Sequence, residues 1–337
     1  MAQHSMRPVG LARRILRLLA GPLIALVTIV VMLGLGEVYF RFFTLQSDAY
    51  DFTLMAKHWK DVCWKPIFRL HSDQIPVNGG YVEYRDRTWT DADVQGKKRI
   101  MVIGDSFVAG HGLCDVKDRA TDVLQAKLGD GYAVFNVAVN GWDTPEETFY
   151  PLLYPYKPDV VVLSYFVNDI RGAIAITKHP FPDLPPRPDW LNEQTGLPLL
   201  KDSYLVDYVY WQIIYKRQFA EGSARLWQAL LDSYFVPDIW AEHQHEIMQI
   251  IDWARQNHTP LIVIVWPMLD NIQGSAKQTA LVEGLFRDNG ATVISASAMF
   301  RNDPPAALVV NGFDAHPNAA VNHRMADALY DAIQKVR

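Results

Sequence analysis

The sequence contains little cysteine and no excess of positive charge. Two cysteines, Cys63 and Cys114, occur in 337 residues, which excludes a disulfide-rich scaffold and a zinc site of four thiolates. The formal net charge of −5 argues against a nucleic-acid-binding protein, since such proteins normally carry a basic surface. Glycine and proline, at 20 residues each, exclude a collagen-like or low-complexity chain. With 50% hydrophobic and 20% charged residues, the chain is too apolar to be disordered.

Three signatures of catalysis or ligand binding are absent or incomplete. No G-x-S-x-G sequence occurs, so the nucleophile turn of the α/β-hydrolases is missing. The G-H-G segment at residues 110–112 begins like a dinucleotide-binding loop, but Asp115 stands where the third glycine is required. His243 and His245 lie two positions apart on a predicted helix and therefore point apart, which disfavours a metal site. We predict no cofactor and no metal.

The first forty residues have the pattern of a membrane anchor. Nineteen consecutive uncharged residues run from Leu18 to Gly36, and as a helix they would span roughly 28 Å, close to the thickness of the hydrocarbon core of a bilayer. Four arginines and no acidic residue precede this run: Arg7, Arg13, Arg14 and Arg17. The positive-inside rule then predicts a cytoplasmic tail over residues 1–17, a single transmembrane anchor over 18–36, and export of the remainder to the periplasm or the cell exterior.

Two other interpretations of this run stay open. A cleaved signal peptide has an apolar region of about 7–15 residues and a small-residue cleavage site, and no such site is found before Glu37. A buried core helix is the second alternative, although it would not need the arginine-rich flank. Glu37 and Arg41 lie four positions apart, so in a helix they can pair at the membrane surface.

Beyond a connecting region of residues 37–96, apolar runs alternate with helical patterns. Five runs predict strands: Arg99–Gly104, Val134–Val139, Asp159–Tyr165, Pro260–Trp266 and Ala291–Ser295. Five segments predict helices: Ala120–Leu128, Glu146–Tyr154, Glu242–Gln256, Ala276–Asp288 and Pro317–Val336. This alternation indicates an α/β domain with a parallel sheet covered on both faces. The domain spans 97–337 with an insertion at about 173–241, whose aromatic residues serve either in packing or as a substrate wall or lid.

Polar residues follow the ends of the predicted strands. Ser106, Gly141 and Asn168 come after the first three strands, and Asp314 and His316 precede the last helix. Ligands of open α/β sheets bind beyond the carboxyl ends of the strands. A serine nucleophile needs a base, the base needs an orienting acceptor, and the developing oxyanion needs hydrogen-bond donors. These five residues can fill all of those roles.

The same residues lie in short blocks that resemble those of the SGNH, or GDSL, hydrolase superfamily. The blocks are GDSF with Ser106, NGWD with Gly141, VNDI with Asn168 and DAHPN with His316. The resemblance implies a flavodoxin-like three-layer α/β/α fold with a five-stranded parallel sheet. It also implies Ser106 as nucleophile and His316 as base, with an oxyanion hole formed by the backbone N–H groups of Ser106 and Gly141 and the side chain of Asn168.

The resemblance covers roughly residues 97–172 and 259–337, and it has two departures. The third block is usually G-x-N-D, whereas Phe166 occupies the glycine position here. We therefore expect a bulkier pocket wall beside Asn168.

The second departure concerns the catalytic acid. The last block is usually Asp-x-x-His, but Asp314 precedes His316 by only two positions. Residues i and i+2 of an extended segment point to the same side, so the carboxylate can still reach the imidazole. We assign Asp314 as the orienting acid; Asp303, or a Ser–His dyad that uses a backbone carbonyl, are the alternatives.

The preferred function is a membrane-anchored serine esterase that acts on O-acetyl or other short acyl esters on the exported side of the membrane. One alternative is an O-acetyltransferase of cell-envelope or exported polysaccharide, working with a membrane acyltransferase or a polysaccharide-export partner. A second is a non-catalytic glycan-binding or scaffold protein. The predicted partners are thus an acyl ester, a glycan and the membrane, without nucleic acid. In an oxidising compartment, Cys63 and Cys114 form either a disulfide or two separate buried thiols.

Overall fold

The computed structural model describes residues 9–65, 69–70, 76–77, 80–81, 83–184, 188–191 and 195–336. These residues fall into two compact units. The first lies within Met1–Leu45, Thr53–Met55 and Arg187–Lys216, and the second within Gln46–Phe52, Ala56–Pro186 and Arg217–Arg337. Arg7 of the predicted cytoplasmic tail lies outside the described residues.

One long helix, α1 (Val9–Phe42), dominates the first unit. Its segment Leu18–Phe42 has a mean hydropathy of 2.6 with no part buried, and it is long and apolar enough to cross a membrane. The helix continues past Gly36, the predicted end of the anchor, and in this part Glu37 and Arg41 pair across one turn, with Arg41 Nη2 2.7 Å from Glu37 Oε1.

The exposed end of α1 is bonded to part of the predicted insertion. The Glu37 carboxylate accepts hydrogen bonds from the N–H groups of Tyr204 and Leu205, which are the first two residues of the helix Tyr204–Val209. Arg41 donates to the carbonyl oxygen of Asp202 at 2.7 Å. A carboxylate at a helix N-terminus satisfies N–H groups that have no partner within the helix, so this contact stabilises the short helix.

The second unit contains the central sheet. The strands of the chain are β1 (Arg69–Leu70), β2 (Pro76–Val77), β3 (Gly80–Tyr81), β4 (Glu83–Tyr84), β5 (Lys98–Gly104), β6 (Tyr132–Ala138), β7 (Val160–Phe166), β8 (Leu261–Trp266), β9 (Thr292–Ser295), β10 (Val309–Asn311) and β11 (Asp314–Pro317). Five of them form one parallel sheet in the order β6-β5-β7-β8-β9. The five-stranded parallel sheet is as predicted, and the strand ends differ by one or two residues from the predicted ones.

The other helices are α2 (Leu54–Trp59), α3 (Asp91–Val94), α4 (Ser106–Ala109), α5 (Ala120–Leu128), α6 (Thr144–Phe149), α7 (Arg171–Ile176), α8 (Tyr204–Val209), α9 (Lys216–Ser233), α10 (Pro237–Gln256), α11 (Ala276–Asp288), α12 (Ala296–Phe300) and α13 (Ala319–Lys335). All residues of β7 and β8 are buried, as expected for parallel strands with both faces covered. Helix α13 packs on α5, and α10 packs on α6 and α7.

The start of the last helix differs from the prediction. Pro317 was expected at its beginning, but it ends β11, which pairs antiparallel with β10. Asn318 is the N-cap of α13, and its side chain accepts a hydrogen bond from the N–H of Val321. The hairpin takes up the residues before the cap, so the helix begins at Ala319.

The predicted connecting region contributes to the core of the second unit. Cys63 and Cys114 form a disulfide with their Cα atoms 4.6 Å apart. The buried guanidinium of Arg85 donates to the carbonyl oxygens of Gly110 and Leu113 at 2.6 and 2.7 Å. Because these carbonyls belong to the loop after α4, the connecting region fixes the chain next to Ser106.

We expect that replacing both cysteines with alanine lowers the free energy of unfolding. The disulfide closes a segment of 51 residues, and the chain-entropy estimate for such a loop is about 4 kcal/mol. Urea unfolding of the full chain in detergent, followed by tryptophan fluorescence, measures the change. The reduced wild-type protein is the control and should match the double variant. An unchanged midpoint would show that the bond adds nothing to stability.

Candidate active site

Ser106 lies at the turn between β5 and α4. The preceding residue, Asp105, is the N-cap of this helix, and its Oδ1 accepts a hydrogen bond from the N–H of Phe107 at 2.9 Å. Asp105 is fully buried, and burial raises the pKa of its carboxyl to about 6. The turn therefore presents the Ser106 side chain at the carboxyl end of a central strand.

Asp314 and His316 lie two positions apart on β11. The two side chains meet, with His316 Nδ1 2.5 Å from Asp314 Oδ1. The backbone N–H of His316 also donates to Oδ1 at 3.2 Å. The extended backbone places residues i and i+2 on the same side, and this explains why a two-residue spacing allows the contact.

His316 bridges the acid and the serine. Its Nε2 lies 2.7 Å from Ser106 Oγ. A carboxylate only accepts hydrogen bonds, so Nδ1 carries the proton and donates it to Asp314. The unprotonated Nε2 then accepts the hydrogen bond from the Ser106 hydroxyl. A serine, a neutral imidazole and a buried carboxylate in this order have the geometry of a nucleophile, a base and an orienting acid.

The surroundings shift the pKa values of the acid and the base in opposite directions. Burial acts to raise the pKa of Asp314, but the neighbouring charge of His316 and the hydrogen bond from it outweigh burial and lower the pKa. Burial acts to lower the pKa of His316, but the charge of Asp314 and the hydrogen bond to it raise the pKa above 6.5. Asp314 is therefore a carboxylate at neutral pH, and it stabilises the protonated form of His316.

The alternative acid has a different partner. Asp303 Oδ2 lies 3.0 Å from the guanidinium of Arg324 on α13. In the described part of the chain, the carboxylate bonded to His316 is Asp314. The structure thus brings together Ser106, His316 and Asp314 and leaves Asp303 in a separate ion pair.

Gly141 and Asn168 occupy turns after the two strands that flank β5 in the sheet. Gly141 follows β6 and has φ +81°, a conformation that favours glycine. Asn168 follows β7, in a turn closed by Asp169, whose Oδ2 accepts a hydrogen bond from the N–H of Phe166 at 2.8 Å. Both residues lie at the carboxyl edge of the sheet, on either side of the strand that leads to Ser106.

Phe166 gives this edge an aromatic wall. Its ring stacks on Phe107 with the centroids 4.4 Å apart, and it meets the Trp227 ring edge-on at 5.9 Å. Phe107 in turn lies 5.4 Å from the His316 ring. The large side chain at the position where the related block has glycine is therefore part of an apolar cluster beside His316.

The sequence did not reveal two further members of the site. Ser47 donates a hydrogen bond to Asp314 Oδ2. The ring of His111 packs against that of His316, with the centroids 4.5 Å apart. His111 belongs to the G-H-G segment, and its only signal in the sequence was an incomplete dinucleotide loop.

His111, Asp314 and His316 offer ligand atoms that all lie within 4.8 Å of one another. The hydrogen bonds already use these atoms, however. His111 Nε2 donates to the carbonyl oxygen of Asp48 at 2.9 Å, and Nδ1 accepts from the side-chain amide of Asn140 at 2.8 Å. The nitrogens of His316 bond to Asp314 and Ser106. The ligand atoms of all three side chains therefore take part in hydrogen bonds, in one set around His111 and a second set around His316 and Asp314.

The side chains of His243 and His245 point apart, as predicted. His243 is buried, with its two ring nitrogens bonded to the Tyr165 hydroxyl and to Glu246, whereas His245 is exposed. The two side chains do not share a site.

Comparison with known proteins shows which family the chain resembles. The model of the GDSL-like lipase/acylhydrolase family matches residues 102–324. Among solved structures, TesA is 15% identical and matches 71% of this chain and 100% of its own, with a TM-score of 0.45. Est24, a carbohydrate acetylesterase from Sinorhizobium meliloti, is 14% identical over 72% of this chain and 100% of its own, with a TM-score of 0.38. No curated protein sequence matches the chain.

Proposed function

Because the chain belongs to the GDSL-like lipase/acylhydrolase family, we propose that it is a serine esterase with Ser106, His316 and Asp314 as its catalytic triad. The observation that carries this proposal is the pair of hydrogen bonds made by His316, at 2.7 Å to Ser106 Oγ and 2.5 Å to Asp314 Oδ1. A hydrogen-bonded base is what a serine hydroxyl requires to act as a nucleophile at neutral pH.

The reaction proceeds in two steps. Ser106 Oγ attacks the ester carbonyl while His316 Nε2 takes the hydroxyl proton, and the imidazolium then protonates the leaving alcohol. A water molecule, deprotonated by His316, hydrolyses the acyl-serine and releases the acid. The N–H groups of Ser106 and Gly141 and the amide of Asn168 stabilise the oxyanion of both tetrahedral intermediates.

We also propose where the enzyme is located and which esters it hydrolyses. The apolar span of α1 and the arginines before it favour a retained anchor with an exported catalytic unit. The disulfide between Cys63 and Cys114 fits an oxidising compartment. The aromatic cluster of Phe107, Phe166 and Trp227 lies beside His316, and bulky side chains at this position support a preference for acetyl and other short acyl esters over long ones.

Hydrolysis of esters of graded length tests the proposal. The full chain in detergent micelles is incubated with p-nitrophenyl acetate, butyrate and octanoate, with and without a candidate glycan. We expect release of free acid, fastest with acetate. Mass spectrometry distinguishes the outcomes: acyl transfer to the glycan would assign an acetyltransferase instead, and no turnover with any ester would contradict the proposal.

Activity should depend on pH through His316. The base must be neutral to accept the Ser106 proton, and Asp314 raises the pKa of His316 above 6.5. The protonated form therefore persists to a higher pH than for an isolated histidine, so kcat/KM should fall on acidification through a pKa above about 6.5. The acid limb of the pH profile, that is, the fall of kcat/KM on acidification, is measured by p-nitrophenyl acetate hydrolysis. Undiminished kcat/KM down to pH about 5 would contradict the assignment of His316 as the base.

A further inference from the structure

The segment that follows the membrane helix is bonded along the loop that carries the catalytic acid. The side chain of Asn311 donates to the carbonyl oxygen of Ser47 at 3.1 Å, and the N–H of Ala49 donates to the carbonyl oxygen of Phe313 at 3.0 Å. Gln46 Nε2 lies 3.3 Å from Asn311 Oδ1. The chain is therefore held on both sides of Ser47.

This arrangement directs the Ser47 hydroxyl at Asp314. Ser47 is buried, and its Oγ donates to Asp314 Oδ2. The other oxygen, Oδ1, is occupied by His316. Among the described residues, Ser47 is the one hydrogen-bond donor to Oδ2, so without it one oxygen of a buried carboxylate would lack a partner.

Gly112 and His111 also lie close to Asp314 Oδ2, but neither donates a hydrogen bond to it. Gly112 has φ +85°, and a Cβ there would lie 2.9 Å from Asp314 Oδ2, so only glycine fits at this position. His111 Nε2 lies 3.6 Å from the same oxygen, but its proton is donated to the carbonyl oxygen of Asp48. With Nδ1 accepting from Asn140, His111 is held in its neutral form.

We propose that Ser47 is a positioning residue of the active site and that the juxtamembrane segment Gln46–Ala49 is consequently part of the catalytic unit. Ser47 holds the Asp314 carboxylate in the plane that its Oδ1 needs to orient His316. This inference rests on the proposed triad. Its consequence is that the chain between anchor and hydrolase unit is a structural component of the site rather than a spacer.

The contact also affects the proton affinity of the base. The titratable groups that act on His316 are Asp314, Asp105 and Asp51, which raise its pKa, and the neighbouring His111. A hydrogen bond from Ser47 withdraws charge from Asp314. Removing this bond leaves a more basic carboxylate, which strengthens its hold on the His316 proton. The acid limb of kcat/KM should therefore move to higher pH.

Two variants of nearly equal shape, Ser47→Thr and Ser47→Val, test the role of the hydroxyl at position 47. Threonine and valine at position 47 occupy nearly the same volume, and only threonine donates a hydrogen bond. Using the full chain in detergent micelles, we expect Ser47→Val to have a kcat at least about tenfold below that of Ser47→Thr, similar to the roughly 10–100-fold losses found when the hydrogen-bond partner of a metal-binding side chain is removed. The two variants should have similar KM values. On acidification, kcat/KM of Ser47→Val should begin to fall at a higher pH than kcat/KM of Ser47→Thr.

The outcomes separate this inference from the proposed function. Melting temperatures of both variants are measured alongside, and Ser106→Ala is assayed in parallel. Equal kcat and equal pH limbs for Ser47→Thr and Ser47→Val, with Ser106→Ala inactive, would overturn the role of Ser47 alone. Wild-type activity in Ser106→Ala would overturn both the triad and the inference that rests on it.

Discussion

Ser106→Ala is expected to lower kcat for ester hydrolysis by about 10⁴–10⁶-fold, because loss of a catalytic serine removes nucleophile and covalent intermediate together. The structure places no second hydroxyl in the position of Ser106 Oγ, at 2.7 Å from His316 Nε2, among the described residues. Hydrolysis of p-nitrophenyl acetate by the full chain measures the effect. The proposed oxyanion-hole donors would remain, so we expect a small residual rate above that of buffer.

A matched control is available for this substitution. Ser233 is also buried, and its hydroxyl donates to the carbonyl oxygen of Ala229 within α9. Ser233→Ala removes one serine hydroxyl away from His316, so it should retain kcat within about twofold, since ordinary substitutions away from the reacting groups leave transition-state binding intact. A kcat of Ser106→Ala as high as that of the wild type and of Ser233→Ala would exclude Ser106 as the nucleophile.

Asp314→Asn is expected to lower kcat by about 10⁴-fold, as seen when the acid of a serine triad becomes an amide. The substitution removes the charge that raises the pKa of His316. An amide can also donate as well as accept, so Nδ1 of His316 is no longer compelled to carry the proton, and Nε2 can lose its ability to accept from Ser106. The acid limb of the pH profile should move to lower pH as the rate falls.

Asp303→Asn is the control for this change. Asp303 pairs with Arg324 at 3.0 Å and is partly exposed, so this surface pair contributes little to stability. We expect its kcat to stay within about twofold of the wild type. A full rate in Asp314→Asn together with a loss in Asp303→Asn would assign the acid to Asp303. Full rates in both variants would favour a Ser–His dyad.

The sequence predicted the central sheet well because both faces of its strands are covered. Strands such as β7 and β8 are buried over their whole length, so their sequences are nearly uninterrupted apolar runs. The residues that follow such runs meet at one edge of a parallel sheet. This is why Ser106 and Asn168 could be located from sequence, although their roles in catalysis remain predictions.

The parts that sequence reasoning missed depend on long-range contacts with no characteristic motif. Ser47 and Asp314 are 267 positions apart, and a serine in a connecting region has no periodicity or spacing that indicates its partner. His111 was similarly visible only as part of a glycine-rich turn. The predicted start of α13 was wrong because the pairing of β10 with β11 overrides the local preference of Pro317 for a helix start.

The end of helix α1 illustrates a different limit. The apolar run predicted a helix, but the run ends at Gly36 and the helix continues to Phe42. In this extension Glu37 and Arg41 form the ion pair that their spacing predicted, and Glu37 also accepts hydrogen bonds from Tyr204 and Leu205. Hydropathy alone marks where the chain is apolar, and the contacts of Glu37 with Tyr204 and Leu205 have no signal in the sequence.

Covalent labelling shows whether Ser106 is the nucleophile of the site. The full chain is treated with an alkyl fluorophosphonate, digested and examined by mass spectrometry. We predict one phosphonyl group on the peptide that contains Ser106, and greatly slowed labelling in Asp314→Asn, because the buried carboxylate supports the base that activates the serine. No labelling of the folded protein, or labelling of another serine such as Ser47 in place of Ser106, would contradict the account.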